Sequence, residues 1–178
     1  MKYAAELTKA MDFLAENPQT IFLGQAVEYP GTAMSSTLKN ISKEKLLEIP
    51  VAEEMQLGIT NGLALNNFIP VSIFPRWNFL LLAANQLINH LDKLSVMSQG
   101  KFKTKVIVRT SIGSQRPLNP QHQHIGDFTE AFKKVLTSTE IIRLDEPKDI
   151  FPAYEKALKR EDGKSTILVE YGDYYNEK

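Results

Sequence analysis

The sequence predicts an α/β fold in which helices cover both faces of a mostly parallel sheet, as a three-layer αβα arrangement. Two observations lead to this prediction. Short apolar segments recur along the chain, and longer segments with helical periodicity separate them. Strands that are covered on both faces read as short apolar runs. We therefore expect each strand to be buried between two layers of helices.

The predicted elements follow one another without a linker, an internal repeat or a low-complexity segment. An amphipathic helix over Tyr3 to Glu16 comes first. A loop from Gln25 to Thr37, with Pro30-Gly31 as a turn signal, leads to a polar helix near Leu38 to Leu46. The whole chain, residues 1–178, is predicted to be a single domain. The other elements are strands at 20–24, 69–73, 105–110, 140–144 and 166–170, and helices at 53–66, 78–94, 127–136 and 147–160.

The composition excludes several classes of function. The 21 basic and 21 acidic residues balance, so neither nucleic acid nor a membrane surface is favoured as a partner. The absence of cysteine excludes thiol nucleophiles, thiolate metal sites and disulfides. The chain starts with the polar segment Met1 to Glu6, and no apolar run is long enough to span a bilayer. We therefore expect a cytoplasmic protein.

The segment Glu48-Ile49-Pro50-Val51-Ala52-Glu53 places a carboxylate where a buried strand is expected to end and a helix to begin. Ligands of open α/β sheets bind beyond the carboxyl ends of the strands, so Glu53 is a candidate to act on a bound heterocycle. The alternative is structural, because the helix dipole favours acidic residues in the first turn of any helix. Spacing alone favours this alternative.

A set of motifs favours the functional interpretation of Glu53 over the structural one. The segment from Ile49 to Ala64 resembles "TPIxExGxxGxAxGxA" in the beta subunits of thiamine-diphosphate-dependent 2-oxo acid dehydrogenases, which are part of the transketolase-like pyrimidine-binding family. The resemblance extends over about Tyr3 to Tyr171 and implies a thiamine-diphosphate-binding fold. Further segments resemble family motifs in the same order: 74–79 resembles "FxxFxF", 84–89 "DQxxN", 97–100 "YMSGG", 106–109 "PxVxR" and 121–123 "QHSQ".

The resemblance implies roles for two residues at the cofactor, Glu53 and Phe79. Glu53 would hydrogen-bond the aminopyrimidine ring of thiamine diphosphate and favour the imino tautomer, whose nitrogen takes the thiazolium proton. Phe79 would stack on the same ring. Trp77 is a second candidate for contact with the cofactor, although burial in the core is the alternative for any aromatic residue of this cluster. Glu54 competes with Glu53, but it lies about 100° further around the helix.

On the substrate side, the resemblance gives His122 the role of stabilising or protonating the oxyanion formed at a carbonyl. Arg116 is a candidate to bind a carboxylate or phosphate of the substrate, and a surface arginine is its alternative. His122 and His124 form a His-x-His pair, which suggests a metal site. No third ligand is evident in the sequence, so no metal is predicted for this chain.

Departures from the family pattern are equally informative. Gly24-Gln25-Ala26 stands where the dehydrogenase subunits have glycine and two acidic residues, which puts a proton relay through those acids in doubt. The Gly-Asp-Gly and Asn-rich motif that binds Mg²⁺ and diphosphate does not occur in this sequence, and we expect no further carboxy-terminal domain. The resemblance therefore implies half of an active site. A separate diphosphate-binding, alpha-like subunit would hold the Mg²⁺ and share the cofactor across a hetero-oligomer interface.

Three functions remain open at this point. Decarboxylation of a 2-oxo acid with acyl transfer leads, and a split transketolase-like ketol transferase or carboligase is the second. A non-catalytic binding or regulatory module is the third, but retention of Glu53, Phe79 and His122 favours an enzyme that is inactive alone. We expect an apolar face around Met55, Trp77 and the helix 78–94 that a partner covers, or a homodimer through this face when the partner is missing.

Overall fold

The computed structural model describes residues 2–29, 31–115 and 119–177. Within these residues six strands form one sheet in the order β2-β1-β3-β4-β6-β5, and every neighbouring pair is parallel. The predicted α/β fold is confirmed, and the predicted strands appear with small shifts at their ends. The strands are β1 (Thr20–Gly24), β2 (Leu46–Glu48), β3 (Ile69–Phe74), β4 (Ile107–Ile112), β5 (Glu140–Arg143) and β6 (Thr166–Tyr171).

Helices cover both faces of the sheet, and each face has its own apolar cluster. Helices α1, α6 and α7 pack on one face, while α2, α3 and α5 pack on the other. Among the helices of the described ranges, none has the length and apolar character that crossing a membrane requires. The helices are α1 (Tyr3–Glu16), α2 (Glu53–Leu65), α3 (Trp77–Leu80), α4 (Leu94–Met97), α5 (Thr129–Val135), α6 (Pro147–Lys159) and α7 (Tyr174–Glu177).

The segment before α2 differs from its prediction. A polar helix was expected near Leu38 to Leu46, whereas the structure has two short 3₁₀ turns, Ser35–Leu38 and Lys43–Lys45, and then strand β2. Strand β2 pairs with β1 at the edge of the sheet and is half-exposed, not buried as expected. Because one face and one edge of this strand meet solvent, its sequence lacks the apolar run that marks the central strands.

The predicted helix 78–94 is also irregular. Helix α3 continues into a 3₁₀ turn, Leu81–Ala83, and a π-helical segment, Gln86–Leu91, before α4 begins. The Asp92 N–H donates to the Leu87 carbonyl oxygen at 3.0 Å, which is the wider hydrogen bond of a π turn. The chain is therefore helical through this region, but it does not form one α-helix.

The Asp92 carboxylate accounts for where this irregular segment ends. It is buried and accepts backbone N–H bonds from Thr137, Ser138 and Thr139 at 2.8 to 3.1 Å. The Lys93 ammonium donates to it at 2.8 Å. Burial alone would raise the pKa of Asp92, but these hydrogen bonds hold the pKa well below its ordinary value. Asp92 thereby joins the π-helical segment to the turn that precedes β5.

A buried ion pair joins the layers on the opposite face. Arg109 on β4 and Glu170 on β6 have no exposed side-chain surface. The Arg109 guanidinium also donates to Thr37 Oγ1 at 2.9 Å. The hydroxyls of Tyr154 and Tyr175 donate to the Glu170 carboxylate, and burial beside this charge raises the pKa of both tyrosines well above the ordinary value. This network connects the sheet to α6, α7 and the turn that contains Thr37.

The first prediction concerns this ion pair. Substitution Glu170→Ala leaves the Arg109 charge buried without its counter-charge, so we expect the free energy of unfolding to fall by about 3–5 kcal/mol. The matched control is Glu130→Ala, which breaks the exposed Lys133–Glu130 pair and is expected to cost less than about 1 kcal/mol. Urea unfolding monitored by circular dichroism measures both values. Equal losses in the two variants would contradict the structural role of Glu170.

The second prediction concerns pH. Because the folded-state pKa of Asp92 is depressed, its contribution to stability is present above the unfolded-state pKa of about 3.9 and is lost as the pH falls further. Asp92→Asn should lower the free energy of unfolding by about 2 kcal/mol at pH 7, since hydrogen bonds to a charged group are lost. The difference from wild type should shrink when urea unfolding is repeated near pH 3. A difference that is independent of pH would refute this account.

Candidate active site

The site lies at the carboxyl edge of the sheet, where its topology switches direction. Strand β1 leads to β2 on one side, whereas β3 leads to β4 on the other, and β1 and β3 are neighbours. Crevices that hold ligands form at such points in open α/β sheets. Gln25 follows β1, Pro75 follows β3, and Glu53 begins the helix that crosses from β2 to β3.

Glu53 is the first residue of α2, and only 7% of it is exposed. Gln25 Nε2 donates to Glu53 Oε1 across 3.4 Å, which is long for a hydrogen bond. Glu54 is exposed and accepts a hydrogen bond from Asn85 Nδ2 at 2.9 Å. The two neighbouring carboxylates therefore differ as expected, since Glu53 is buried and Glu54 meets solvent.

Hydrogen bonds to the backbone of the loop after β1 account for the position of Gln25. The Glu48 carboxylate, at the end of β2, accepts N–H bonds from Ala26, Val27 and Glu28 at 2.6 to 2.9 Å. This holds the loop after β1 against the entrance to α2. The sequence did not predict a role for Glu48. Its place at the end of a predicted strand is the feature that could have indicated a contact with a neighbouring loop.

Helix α2 is fixed on the sheet by buried polar side chains. Gln56 Nε2 donates to Ser72 Oγ at 3.1 Å and to the Ile73 carbonyl oxygen at 3.0 Å. The Thr60 hydroxyl donates to the same Ser72 oxygen at 3.0 Å. Since both Gln56 and Thr60 have no exposed surface, these contacts set the depth of α2 against β3. They also determine where Glu53, one turn earlier on α2, lies at the carboxyl edge of the sheet.

Arg76, which follows β3, is hydrogen-bonded to two places in the connection between β4 and α5. Its Nη1 donates to the carbonyl oxygens of Gly113, Ser114 and His124 at 3.0, 3.3 and 2.8 Å. Burial lowers the pKa of the guanidinium, and the nearby Asp173 charge opposes this shift. A cavity of about 250 Å³ opens beside Arg76, between the ends of β3, β4 and β6. Sequence reasoning did not identify Arg76, because its partners are backbone oxygens far away in the chain.

The structure separates the two histidines of the His-x-His pair. The His122 side chain is exposed, whereas His124 is half-buried. The His124 ring lies 5.0 Å from the Phe79 ring, centroid to centroid, at an interplanar angle of 47°. His124 thus contacts the candidate stacking residue, Phe79, while the substrate role of His122 stays a prediction. Within the described residues there is no group of three or more His, Cys, Asp or Glu side chains that could hold a metal ion.

The aromatic cluster also divides into two roles. Phe79 is half-buried at the site, whereas Trp77 has no exposed surface. The Trp77 ring packs 5.1 Å from Phe132 and 6.5 Å from Phe128. The burial of Trp77 favours its alternative, packing in the core, over contact with a cofactor. Arg116, the predicted substrate ligand, lies outside the described residues.

The expected apolar face is present in part. Met55 is 45% exposed on α2, and Leu82 is 63% exposed on the 3₁₀ turn that contacts this helix. Val96 and Met97 on α4 are also exposed. Trp77 does not belong to this face, because it is buried.

Comparison with known proteins identifies the family. The chain matches the family described as transketolase, pyrimidine binding domain, over residues 1–176. It is 27% identical over 176 residues to the pyruvate dehydrogenase E1 component subunit beta of Gracilaria tenuistipitata var. liui, a match that covers 97% of this chain and 53% of the relative. The chloroplastic subunit beta-4 of Oryza sativa subsp. japonica is 25% identical, with coverage of 93% and 41%. The chain thus spans about half the length of these curated relatives.

Many solved structures share the fold, and two of them illustrate it. One is described as a split gene transketolase, inactive beta4 tetramer, with a TM-score of 0.71, 17% identity, and coverage of 97% of this chain and 52% of the other. The second is the benzoylformate decarboxylase of Polynucleobacter necessarius, with a TM-score of 0.65, 14% identity, and coverage of 96% and 30%. Because the family match extends over nearly the whole sequence, this chain belongs to the transketolase pyrimidine-binding domain family.

Proposed function

We propose that this chain is the pyrimidine-binding subunit of a heteromeric thiamine-diphosphate-dependent enzyme that decarboxylates a 2-oxo acid and transfers the acyl group. The observation that carries the proposal is the buried Glu53 carboxylate at the start of α2, at the edge of the sheet where the topology switches direction between β1 and β3. The names of the curated relatives, pyruvate dehydrogenase E1 component subunit beta, support the 2-oxo acid class.

The described residues fit the pyrimidine half of this cofactor. A buried carboxylate requires strong polar partners, and the 3.4 Å contact from Gln25 is a weak one. Glu53 is therefore suited to a hydrogen bond with a ring nitrogen. Phe79 is a half-buried aromatic ring at the same edge of the sheet, which is suited to stacking on a flat heterocycle.

Each residue then has a defined task. Glu53 holds a proton at N1′, on the edge of the pyrimidine ring. Phe79 orients the ring by stacking, and Gln25 orients the Glu53 carboxylate through its amide. Thiamine diphosphate supplies a nucleophilic carbon when it is bound. His122 and Arg116 remain candidates for contact with the substrate, from the resemblance alone.

The other half of the site is proposed to belong to a separate diphosphate-binding, alpha-like subunit that holds Mg²⁺. The exposed side chains of Met55 and Leu82 are candidates for the surface that this subunit covers. The structural neighbour described as an inactive beta4 tetramer supports a chain that is inactive alone and self-associates without its partner. A cytoplasmic location is part of the proposal, although other relatives carry the words chloroplastic and mitochondrial in their names.

A split transketolase-like ketol transferase or carboligase is the second candidate. It is favoured by the split gene transketolase among the structural neighbours, and by Gln25-Ala26 in place of the two acidic residues of dehydrogenase subunits. Substrate profiling of the reconstituted complex with pyruvate and with ketose sugars separates the two reactions. A complex without turnover on either class would favour the third candidate, a non-catalytic binding module.

The third prediction is that the isolated chain binds thiamine diphosphate weakly, because the contacts to Mg²⁺ and diphosphate are supplied elsewhere. Calorimetric titration with thiamine diphosphate and Mg²⁺ is performed on the chain alone and on its complex with the alpha-like subunit. That subunit is sought in a neighbouring reading frame with the Gly-Asp-Gly and Asn-rich motif. Tight, Mg²⁺-dependent binding by the chain alone would refute the shared site.

The fourth prediction separates Glu53 from its neighbour. Glu53→Gln is nearly isosteric, so assembly should be preserved, while exchange of the cofactor C2 proton in the complex should slow by ~10²–10⁴-fold. The exposed Glu54→Gln is the matched control and should leave the exchange rate nearly unchanged. Quenched-flow NMR of hydrogen–deuterium exchange at C2 measures both. Equal rates in wild type and Glu53→Gln would eliminate Glu53 as the acid–base residue.

A further inference from the structure

The backbone of His124 is held in place at the site. Its φ angle is +60°, in the left-handed region that side chains other than glycine seldom adopt. The His124 carbonyl oxygen accepts the 2.8 Å hydrogen bond from Arg76, which also binds the Gly113 and Ser114 carbonyl oxygens after β4. The left-handed turn is thus tied to the ends of β3 and β4.

A second contact holds the same loop on its other side. The Gly126 N–H donates to Asn78 Oδ1 at 3.2 Å, and Asn78 precedes Phe79 on α3. His124 therefore lies between two anchors, Arg76 and Asn78, that come from one short segment of the chain. The side chain is directed onto the Phe79 ring, 5.0 Å away. His122 is exposed instead, outside this contact.

The His124 ring nitrogens have different surroundings. Nδ1 is buried and has no hydrogen-bond partner within the part of the chain that the structure describes. A neutral imidazole carries its proton on one nitrogen and accepts through the other. Buried N–H groups without an acceptor are rarer than buried acceptors without a donor. The tautomer with its proton on Nε2 is therefore favoured, and it makes Nε2–H the hydrogen-bond donor of this side chain.

We propose that His124, through Nε2–H, is the donor that hydrogen-bonds the carbonyl oxygen of the substrate, a role that sequence resemblance alone gives to His122. The inference rests on the proposed function. As the carbonyl carbon gains a bond to the incoming carbon nucleophile, the carbonyl π electrons move onto the oxygen. A donor fixed before the reaction stabilises that developing charge. The substrate class is a 2-oxo acid or another ketone.

The first test needs neither cofactor nor partner. The chain contains three histidines, His90, His122 and His124, so ¹⁵N-histidine labelling and a set of single His→Asn variants assign every ring. Long-range ¹H–¹⁵N correlation NMR then reports the tautomer. We expect His124 to be fixed with its proton on Nε2. A His124 ring protonated on Nδ1, or one that averages between tautomers as an exposed ring does, would overturn the proposal.

The second test uses turnover of pyruvate by the reconstituted complex. His124→Asn tolerates the left-handed backbone but is too short to place a donor at the Nε2 position, so kcat/KM should fall by ~10²–10³-fold. His124→Gln keeps an N–H near that position and should lose less. Glu130→Ala, at an exposed position of α5, is the control and should leave kcat/KM unchanged.

His122→Asn decides between the two histidines. A loss equal to or larger than that of His124→Asn would overturn the proposal, and a smaller loss supports it. Thermal unfolding and calorimetric binding of thiamine diphosphate verify that each variant folds and assembles. A wild-type complex without turnover would count against the proposed function, whereas the tautomer of His124 would still be decided by NMR on the chain alone.

Discussion

Parallel pairing of β1 with both β2 and β3 is the constraint on which the candidate site depends. It brings the carboxyl ends of the three strands to one edge of the sheet. A side chain at Gly24 would come within 2.5 Å of the Ile73 carbonyl oxygen, so only glycine allows β1 to end this close to β3. The Ile49 N–H donates to the Gly24 carbonyl oxygen at 2.8 Å and leads the chain on toward α2. The position of Glu53 follows from this geometry.

Buried polar side chains fix the helical layers against that sheet. Arg109 and Glu170 do so on one face, and Gln56 with Ser72 does so on the other. Hydrogen bonds are directional, so these contacts fix the distances and angles between the layers. Apolar packing alone would fix them less specifically. The site residues lie in loops and at helix ends on this scaffold. Such loops can present reactive groups because the elements below them are fixed.

The central strands and helix α1 were predictable because their patterns are local. The apolar stripe of Tyr3–Glu16 gave the bounds of that helix, and apolar runs gave the central strands. The strand that ends at Glu48 was expected to be buried, but it lies at the edge of the sheet, where half of it meets solvent. The π-helical segment depends on Asp92 and its partners far along the chain. The resemblance identified Glu53. The contact of His124, and not His122, with the Phe79 ring depends on how the loop packs, which the sequence pattern does not show.

The central claim is that the carboxyl edge of the sheet between β1 and β3 binds the pyrimidine ring of thiamine diphosphate. A crystal structure of the complex with its diphosphate-binding subunit, with cofactor and Mg²⁺ bound, tests it most directly. The account predicts the Glu53 carboxylate within hydrogen-bond distance of N1′ and the Phe79 ring stacked on the pyrimidine. A cofactor ring bound away from Glu53, or a Glu53 carboxylate bonded only to protein atoms, would contradict it.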